Sequence, residues 1–440
     1  MPKITHLSEK WCSTDEAVSS INSGQKIFVG SGAGVPRDLV QALTRRNKEL
    51  EGVHIHHILT MGTTEETAPY TLPGMEQSFT HYAWFIGPNT RAAVNEGRAY
   101  FIPAFLSAIP DRLREAELDV AMIQVSVPDD RGYCSLGVSV DVIRAAVKSA
   151  KRVVAEVNHR MPKTQGYSFI HVNEIDKLVE VDYPLYTYAT KEPTEIQHKI
   201  GEHVASLIDD EAVLQVGIGA IPDAALACLT GHRDLGVHSE MISDGIMNLV
   251  DAGVITNERK QLNQGKVVTS FMIGSKELYA WVHQNPALEM RPTEYTNDPF
   301  TIARNDRVVA INSALSIDLK GQVCSDSLGR RFYSGIGGQV DFIRGAASSR
   351  NGKPIIAMPS TAMVKGELVS RLVTNLAAGA GVVTSEGDVH YVVTEYGIAN
   401  LQGKAVGERA EQLIKIAHPD FRDEMYQYAH EYGYIVKHIF

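Results

Sequence analysis

The strongest constraint on this chain is that its pattern is used twice. Phe28-Val29-Gly30-Ser31-Gly32-Ala33-Gly34-Val35-Pro36 is answered by Leu214-Gln215-Val216-Gly217-Ile218-Gly219-Ala220-Ile221-Pro222. Gly52-Val53-His54-Ile55-His56 returns as Gly236-Val237-His238-Ser239-Glu240. Gly137-Val138-Ser139-Val140-Asp141-Val142-Ile143-Arg144-Ala145-Ala146 returns as Gly337-Gly338-Gln339-Val340-Asp341-Phe342-Ile343-Arg344-Gly345-Ala346. Self-similarity kept in order marks a duplicated structural unit. The expected architecture is therefore two tandem, similar open α/β domains, residues 1–190 and 191–440. Residues 181–193, rich in Tyr and Pro and without helical period, form the crossover. Residues 194–208 carry apolar side chains near a 3.6 spacing and open the second copy as a helix. Repeated β-α-β order within each copy predicts mostly parallel sheets with helices on both faces and an active cleft where the copies face one another.

Chemistry concentrates in the second copy. Residues 212–217 read as a short buried strand, followed at once by the Gly217-Ile218-Gly219 turn. Pro222 suits the first helical position, with a helix over 223–229, and the glycines let backbone approach a ligand closely. A strand over 236–239 then delivers Glu240. A dinucleotide-binding unit shows the same order, but Pro222 stands where the third glycine of its fingerprint belongs, so the nicotinamide reading fails. Glu240 is read as a nucleophile, against the alternative of an ion-paired surface carboxylate. The first copy has His56 at that position, so the chemistry is not duplicated and the first copy serves as scaffold and one wall of the cleft. His54, His56 and His57 suggest a metal cluster only until strand alternation is applied, because His57 points away from the other two. A polar strand end is the better reading, and no metal site is expected.

A second glycine cluster, Ser334-Gly335-Ile336-Gly337-Gly338, precedes a helix expected to begin at Gln339 or Val340. Exposed backbone N–H groups there suit a phosphate or developing negative charge. The matching turn of the first copy, Ser135-Leu136-Gly137-Val138-Ser139, keeps one glycine, so the turn itself does not demand them. Asp141 and Asp341 occupy equivalent positions and are read as helix caps.

Composition narrows the remaining classes. At 440 residues, 44% hydrophobic, 21% charged and net charge −10, the chain is long enough for two full cores and too acidic for nucleic-acid binding as its main task. The amino terminus lacks the apolar core of a secretory signal, and no apolar run approaches a membrane span, so a cytoplasmic protein is expected. Cys12, Cys134, Cys228 and Cys324 form no C-x-x-C pair, which predicts reduced thiols.

These residues together resemble the acetyl-CoA hydrolase/transferase family, in particular its 4-hydroxybutyrate and butyrate:acetate CoA-transferases. The resemblance covers nearly the whole chain. It rests on Gln215-Val216-Gly217-Ile218-Gly219, His238-Ser239-Glu240-Met241, Gly337-Gly338-Gln339-Val340-Asp341-Phe342, Pro354-Ile355-Ile356-Ala357-Met358-Pro359-Ser360-Thr361, Val393-Thr394-Glu395-Tyr396-Gly397-Ile398-Ala399-Asn400-Leu401, and Ala417-His418-Pro419-Asp420-Phe421-Arg422-Asp423. It implies that Glu240 attacks an acyl-CoA thioester in ping-pong transfer through an acyl-glutamyl anhydride and a glutamyl-CoA thioester. It further implies oxyanion or coenzyme A contacts at Gly217, Ile218, Gly219, Gly337, Gly338 and Gln339, with Met358 lining the pantetheine channel. Acyl-CoA and a small carboxylate are then substrates, no cofactor is permanently bound, and a homo-oligomer is expected, a homodimer in the simplest case. Glu386 and Glu395 are assigned to shaping the cleft or hydrogen bonding around it. An acyl-CoA hydrolase on the same fold is the alternative, and a non-catalytic sensor of CoA esters or sugar phosphates a distant third.

Overall fold

The computed structural model describes residues 7–189, 192–217 and 219–436. The chain divides into two compact units. The first holds the described residues up to Ala189, together with Val268–Thr296 and Phe332–Gly337. The second holds the described residues of 192–267, Asn297–Arg331 and those of 338–436.

The first unit is built on seven parallel strands: β1 (Lys26–Val29), β2 (Val53–His57), β3 (Phe79–Ala83), β4 (Ala99–Phe101), β5 (Val120–Ser126), β6 (Arg152–Asn158) and β7 (Lys177–Val181). Their spatial order is β4-β3-β2-β1-β5-β6-β7. Strand β5 is buried at every position, as expected of a central strand covered on both faces. Ile27, Val29, Leu39, Leu43, Ile55 and Phe79 form one cluster that seats the helix Arg37–Arg45 on the sheet.

The second unit carries β8 (Val213–Val216), β9 (Gly236–Val237), β10 (Val308–Asn312), β11 (Lys353–Ala357), β12 (Tyr391–Thr394) and β13 (Gly397–Asn400). The order is β9-β8-β10-β11-β12-β13, parallel except for β13, which folds back antiparallel on β12. The run β2-β1-β5-β6-β7 in the first sheet and the run β9-β8-β10-β11-β12 in the second are the same topology. The two similar, mostly parallel α/β sheets expected from the repeat are present. The first sheet adds β3 and β4 beyond β2, whereas the second stops at β9, so Glu240 follows an edge strand.

The helix expected from residue 194 runs over Glu195–Ala205. Thr194 accepts the Gln197 N–H through its hydroxyl while Gln197 Oε1 accepts the Thr194 N–H at 2.9 Å, a closed capping box. Gly201 lets this helix approach the next, because a Cβ there would stand 2.7 Å from the Ala224 carbonyl oxygen. The expected helix over 223–229 instead runs over Ala220–Ala227. Gly219 turns the chain at φ 121°, which only glycine adopts readily, and helical geometry begins directly after it. Pro222 is thus third in the helix rather than first, still within the turn whose N–H groups have no intrahelical acceptor. The strand before Glu240 is likewise shorter than expected, ending at Val237.

All four cysteines are free thiols, with Cys134 and Cys324 buried. Among the described residues no helix is long and apolar enough to cross a membrane.

Candidate active site

The geometry around Glu240 begins with its neighbour Ser239. Its hydroxyl lies 3.2 Å from both the N–H and the carbonyl of Val216, the last residue of β8. The His238 N–H continues the ladder to the Leu214 carbonyl at 3.1 Å, and the His238 ring is buried edge-on to Phe342. On the other side, Lys260 is buried and its ammonium donates to the Val237 carbonyl at 2.6 Å. Backbone on both sides of the edge is therefore pinned, and Glu240 follows Ser239 from a fixed place beside the end of β8.

The Glu240 carboxylate is half-buried and accepts a 2.8 Å hydrogen bond from Asn297 Nδ2 to Oε2. Asn297 is fully enclosed. It immediately precedes Asp298, whose carboxylate caps the short helix Pro299–Ile302 by accepting the Thr301 N–H at 2.9 Å. That helix packs against the helix Gln339–Ser348 where Gly345 leaves room, since a Cβ at Gly345 would lie 2.5 Å from Ile302. The packing brings Gly338, the N-cap of the longer helix, to the carboxylate. A Cβ on Gly338 would overlap both Glu240 Oε2 and the Asn297 amide. Glycine is needed there for space, because φ of −95° is open to any residue.

The other expected site residues fall into three groups. Gly217 and Gly219 flank Ile218, which lies outside the described residues. No described atom beyond the immediate chain comes within 4 Å of where a Cβ on either glycine would stand, so there is open space beside both. Gly337 belongs to the first unit, at φ 61°, and its carbonyl accepts the Leu106 N–H at 3.0 Å. Gln339 opens its helix as expected. Its side chain is structural: Nε2 donates to the Ser313 carbonyl at 2.7 Å, and Oε1 accepts from Ser325 at 2.9 Å and Thr384 at 3.1 Å. Met358 is fully buried among Ile343, Ile356 and Val392, so its side chain is part of the core.

The competing carboxylates have other partners or positions. Glu395 accepts both the N–H and the hydroxyl of Ser360, at 2.9 and 2.6 Å. Glu386 is exposed, and its carbonyl accepts from Arg409 at 2.7 Å. Asp223, in the helix after the glycine turn, is pushed up to about 6 by burial and by the charge of Asp244. Asp141 takes the backbone N–H groups of Val142 and Ile143, but neither aspartate is the expected cap: Val142 is the N-cap of the helix Ile143–Ser149, and Gly338 that of the equivalent second helix, inside which Asp341 lies. His56, at the repeat position of Glu240, remains in its strand and is 7% exposed. Asn297 was not among the expected residues, although Asn297-Asp298-Pro299 announces a helix start.

A half-buried carboxylate hydrogen-bonded to an enclosed amide, against a glycine backbone, suits nucleophilic attack. Residues 2–185 match the acetyl-CoA hydrolase/transferase N-terminal domain, and residues 274–429 match the acetyl-CoA hydrolase/transferase C-terminal domain. The chain is 50% identical to the 4-hydroxybutyrate coenzyme A transferase of Clostridium kluyveri, over 95% of this chain and 96% of that one. Among solved structures, RipA from Yersinia pestis superposes with a TM-score of 0.92 at 36% identity, covering 97% of this chain and 98% of that chain. The 4-hydroxybutyrate CoA-transferase from Porphyromonas gingivalis does so at 0.82 and 39%, with the same coverage. The chain belongs to the acetyl-CoA hydrolase/transferase family.

Proposed function

We propose that the protein is an acyl-CoA:carboxylate CoA-transferase, with acetyl-CoA as donor and 4-hydroxybutyrate or butyrate as the partner acid, and with Glu240 as nucleophile. A Glu240 oxygen adds to the thioester carbonyl, and collapse of the tetrahedral adduct expels CoA thiolate and leaves an acyl-glutamyl anhydride. The thiolate then adds to the glutamyl carbonyl and releases the first acid as carboxylate, leaving a glutamyl-CoA thioester. An incoming carboxylate reverses both steps, frees Glu240 and departs as the new acyl-CoA. Because a thioester or anhydride persists throughout, no external energy source enters the sequence.

A carboxylate is a weak nucleophile in water, but fixed at near-attack distance its effective molarity removes several kcal/mol of barrier. Backbone N–H groups near Ile218 or Gly219 and at Gly338 are assigned to the two oxyanions, where loss of one donor costs about 3 kcal/mol. Asn297 is the positioning residue that fixes the carboxylate through Oε2. The observation that carries this reading is the Asn297–Glu240 bond at 2.8 Å over the space left by Gly338. The same reading takes no resident cofactor and a cytoplasmic homo-oligomer as the working form. The test is an initial-rate study with acetyl-CoA across a panel of carboxylates. Parallel double-reciprocal lines with an absolute acceptor requirement are expected, whereas thioester loss without acceptor would establish hydrolysis instead.

A further inference from the structure

The first unit carries a second concave site, built from the histidine strand that the chemistry of Glu240 does not use. Alternation on β2 buries Val53 and Ile55 in the core and turns His54 and His56 to the opposite face. There the His56 ring stacks on Tyr82 with centroids 5.0 Å apart, and His54 is tilted over the same ring at 5.2 Å. Trp84 stands 6.4 Å from His56, and Tyr100 continues the band, stacked on Tyr82 at 5.3 Å. His54, His56, Tyr82 and Trp84 line a cavity of about 350 Å³ together with Lys26 and Arg112.

Two features of this wall point to a ligand. His56 and Trp84 are 7% and 5% exposed, yet His56 Nδ1 and Trp84 Nε1 find no hydrogen-bond partner among the described residues. Buried polar nitrogens are ordinarily paired, and these two line one cavity from which a ligand can supply the missing partner. The second feature is charge, which Lys26, Arg112 and Glu115 all bring to the cavity. Burial lowers His56 to about 4, so it is a neutral ring at physiological pH, and Arg112 shares its charge with Glu115 at 2.7 Å. Lys26 donates only to the Ala116 carbonyl, at 2.9 Å, and leaves its positive charge uncompensated by any described ion pair. The cavity lies at the small end of the range of about 300–1,000 Å³ typical of ligand sites, enough for one ring system with a short anionic arm.

We propose that this cavity binds a nucleoside monophosphate, with its purine over the partly exposed Tyr82 ring beside the unpartnered His56 and Trp84 nitrogens and its phosphate against Lys26. Stacking on the Tyr82 ring supplies base affinity, and the Lys26 ammonium selects the phosphate. The test is isothermal titration of the full chain with AMP in the presence of saturating CoA, so that a site recognising the nucleotide end of the substrate is already filled. One saturable equivalent is expected for the wild type and for Glu240→Gln. Tyr82→Ala is expected to weaken AMP at least tenfold, and Lys26→Met to weaken AMP at least tenfold while leaving adenosine unchanged. Both positions are partly exposed, and circular dichroism checks that the variants fold. Absence of AMP binding to the wild type under these conditions, equal affinity for AMP and adenosine, or unchanged AMP binding in both variants would each overturn the proposal.

Discussion

At Gly338 one hydrogen in place of a methyl group decides whether the Glu240 carboxylate has a seat. Its backbone conformation accepts alanine, so Gly338→Ala should fold with a near-normal melting temperature while pushing the carboxylate off Asn297. A displacement near 1 Å costs on the order of a hundredfold in a near-attack geometry, and kcat of the variant should fall by about that factor. Unchanged turnover in Gly338→Ala would mean the carboxylate does not react from this seat. The paired substitutions of Glu240 separate charge from reach. Glu240→Asp keeps the charge but withdraws it by about one C–C bond length, and should slow transfer by about a hundredfold. Glu240→Gln removes the charge and should abolish transfer while CoA still binds.

At the scale of single elements, helix starts are where local sequence and observed structure agree best. Thr194 with Gln197, and the glycines before Gln339, are short-range signals whose partners lie within one helical turn. Thr194→Ala should therefore cost about 1 kcal/mol of unfolding free energy, read as a lower denaturant midpoint with unchanged kcat. The start at Ala220 escaped by two residues because the φ of Gly219 is a property of the folded turn, not of the letters around it. Asn297 escaped for a different reason. Its bond to Glu240 joins positions 57 apart, and it depends on Gly345 admitting Ile302, which no local pattern encodes. Met358 shows the limit of strand reading: an apolar residue after a buried strand can face core or cavity, and packing puts it in the core.

The helix Arg37–Arg45 offers a pH test of the same kind of buried chemistry. Glu156 is fully buried, accepts the Leu39 N–H at 2.6 Å and the Tyr183 hydroxyl, and is raised to about 8 by that burial. An unfolded glutamate titrates near 4.3, so between these values the native state binds the extra proton. Stability contributed by this group is complete below about pH 4 and declines as pH rises toward 8. Denaturant midpoints measured from pH 4.5 to 8 should fall in the wild type and fall less in Glu156→Gln. Parallel curves for the two proteins would count against this assignment.

For the whole molecule, the repeat was the most informative feature of the sequence, because one topology written twice leaves few arrangements for either copy. It anticipated two similar, mostly parallel sheets, and the unequal residues within it, Glu240 against His56, pointed to where the copies differ. It did not anticipate that Val268–Thr296 and Phe332–Gly337 pack with the first unit, since such returns are fixed by tertiary contacts far apart in sequence. The central claim is that one carboxylate becomes covalently loaded with coenzyme A. Wild-type protein mixed with acyl-CoA and no acceptor, then reduced with borohydride or trapped with hydroxylamine and digested, tests it most directly by mass analysis of the modified peptide. The account predicts modification of the peptide containing Glu240, at up to one equivalent per site and absent in Glu240→Gln. Modification at Glu386 or Glu395, or a wild-type protein that turns over acyl-CoA with acceptor yet never yields a trapped glutamyl species, would contradict it.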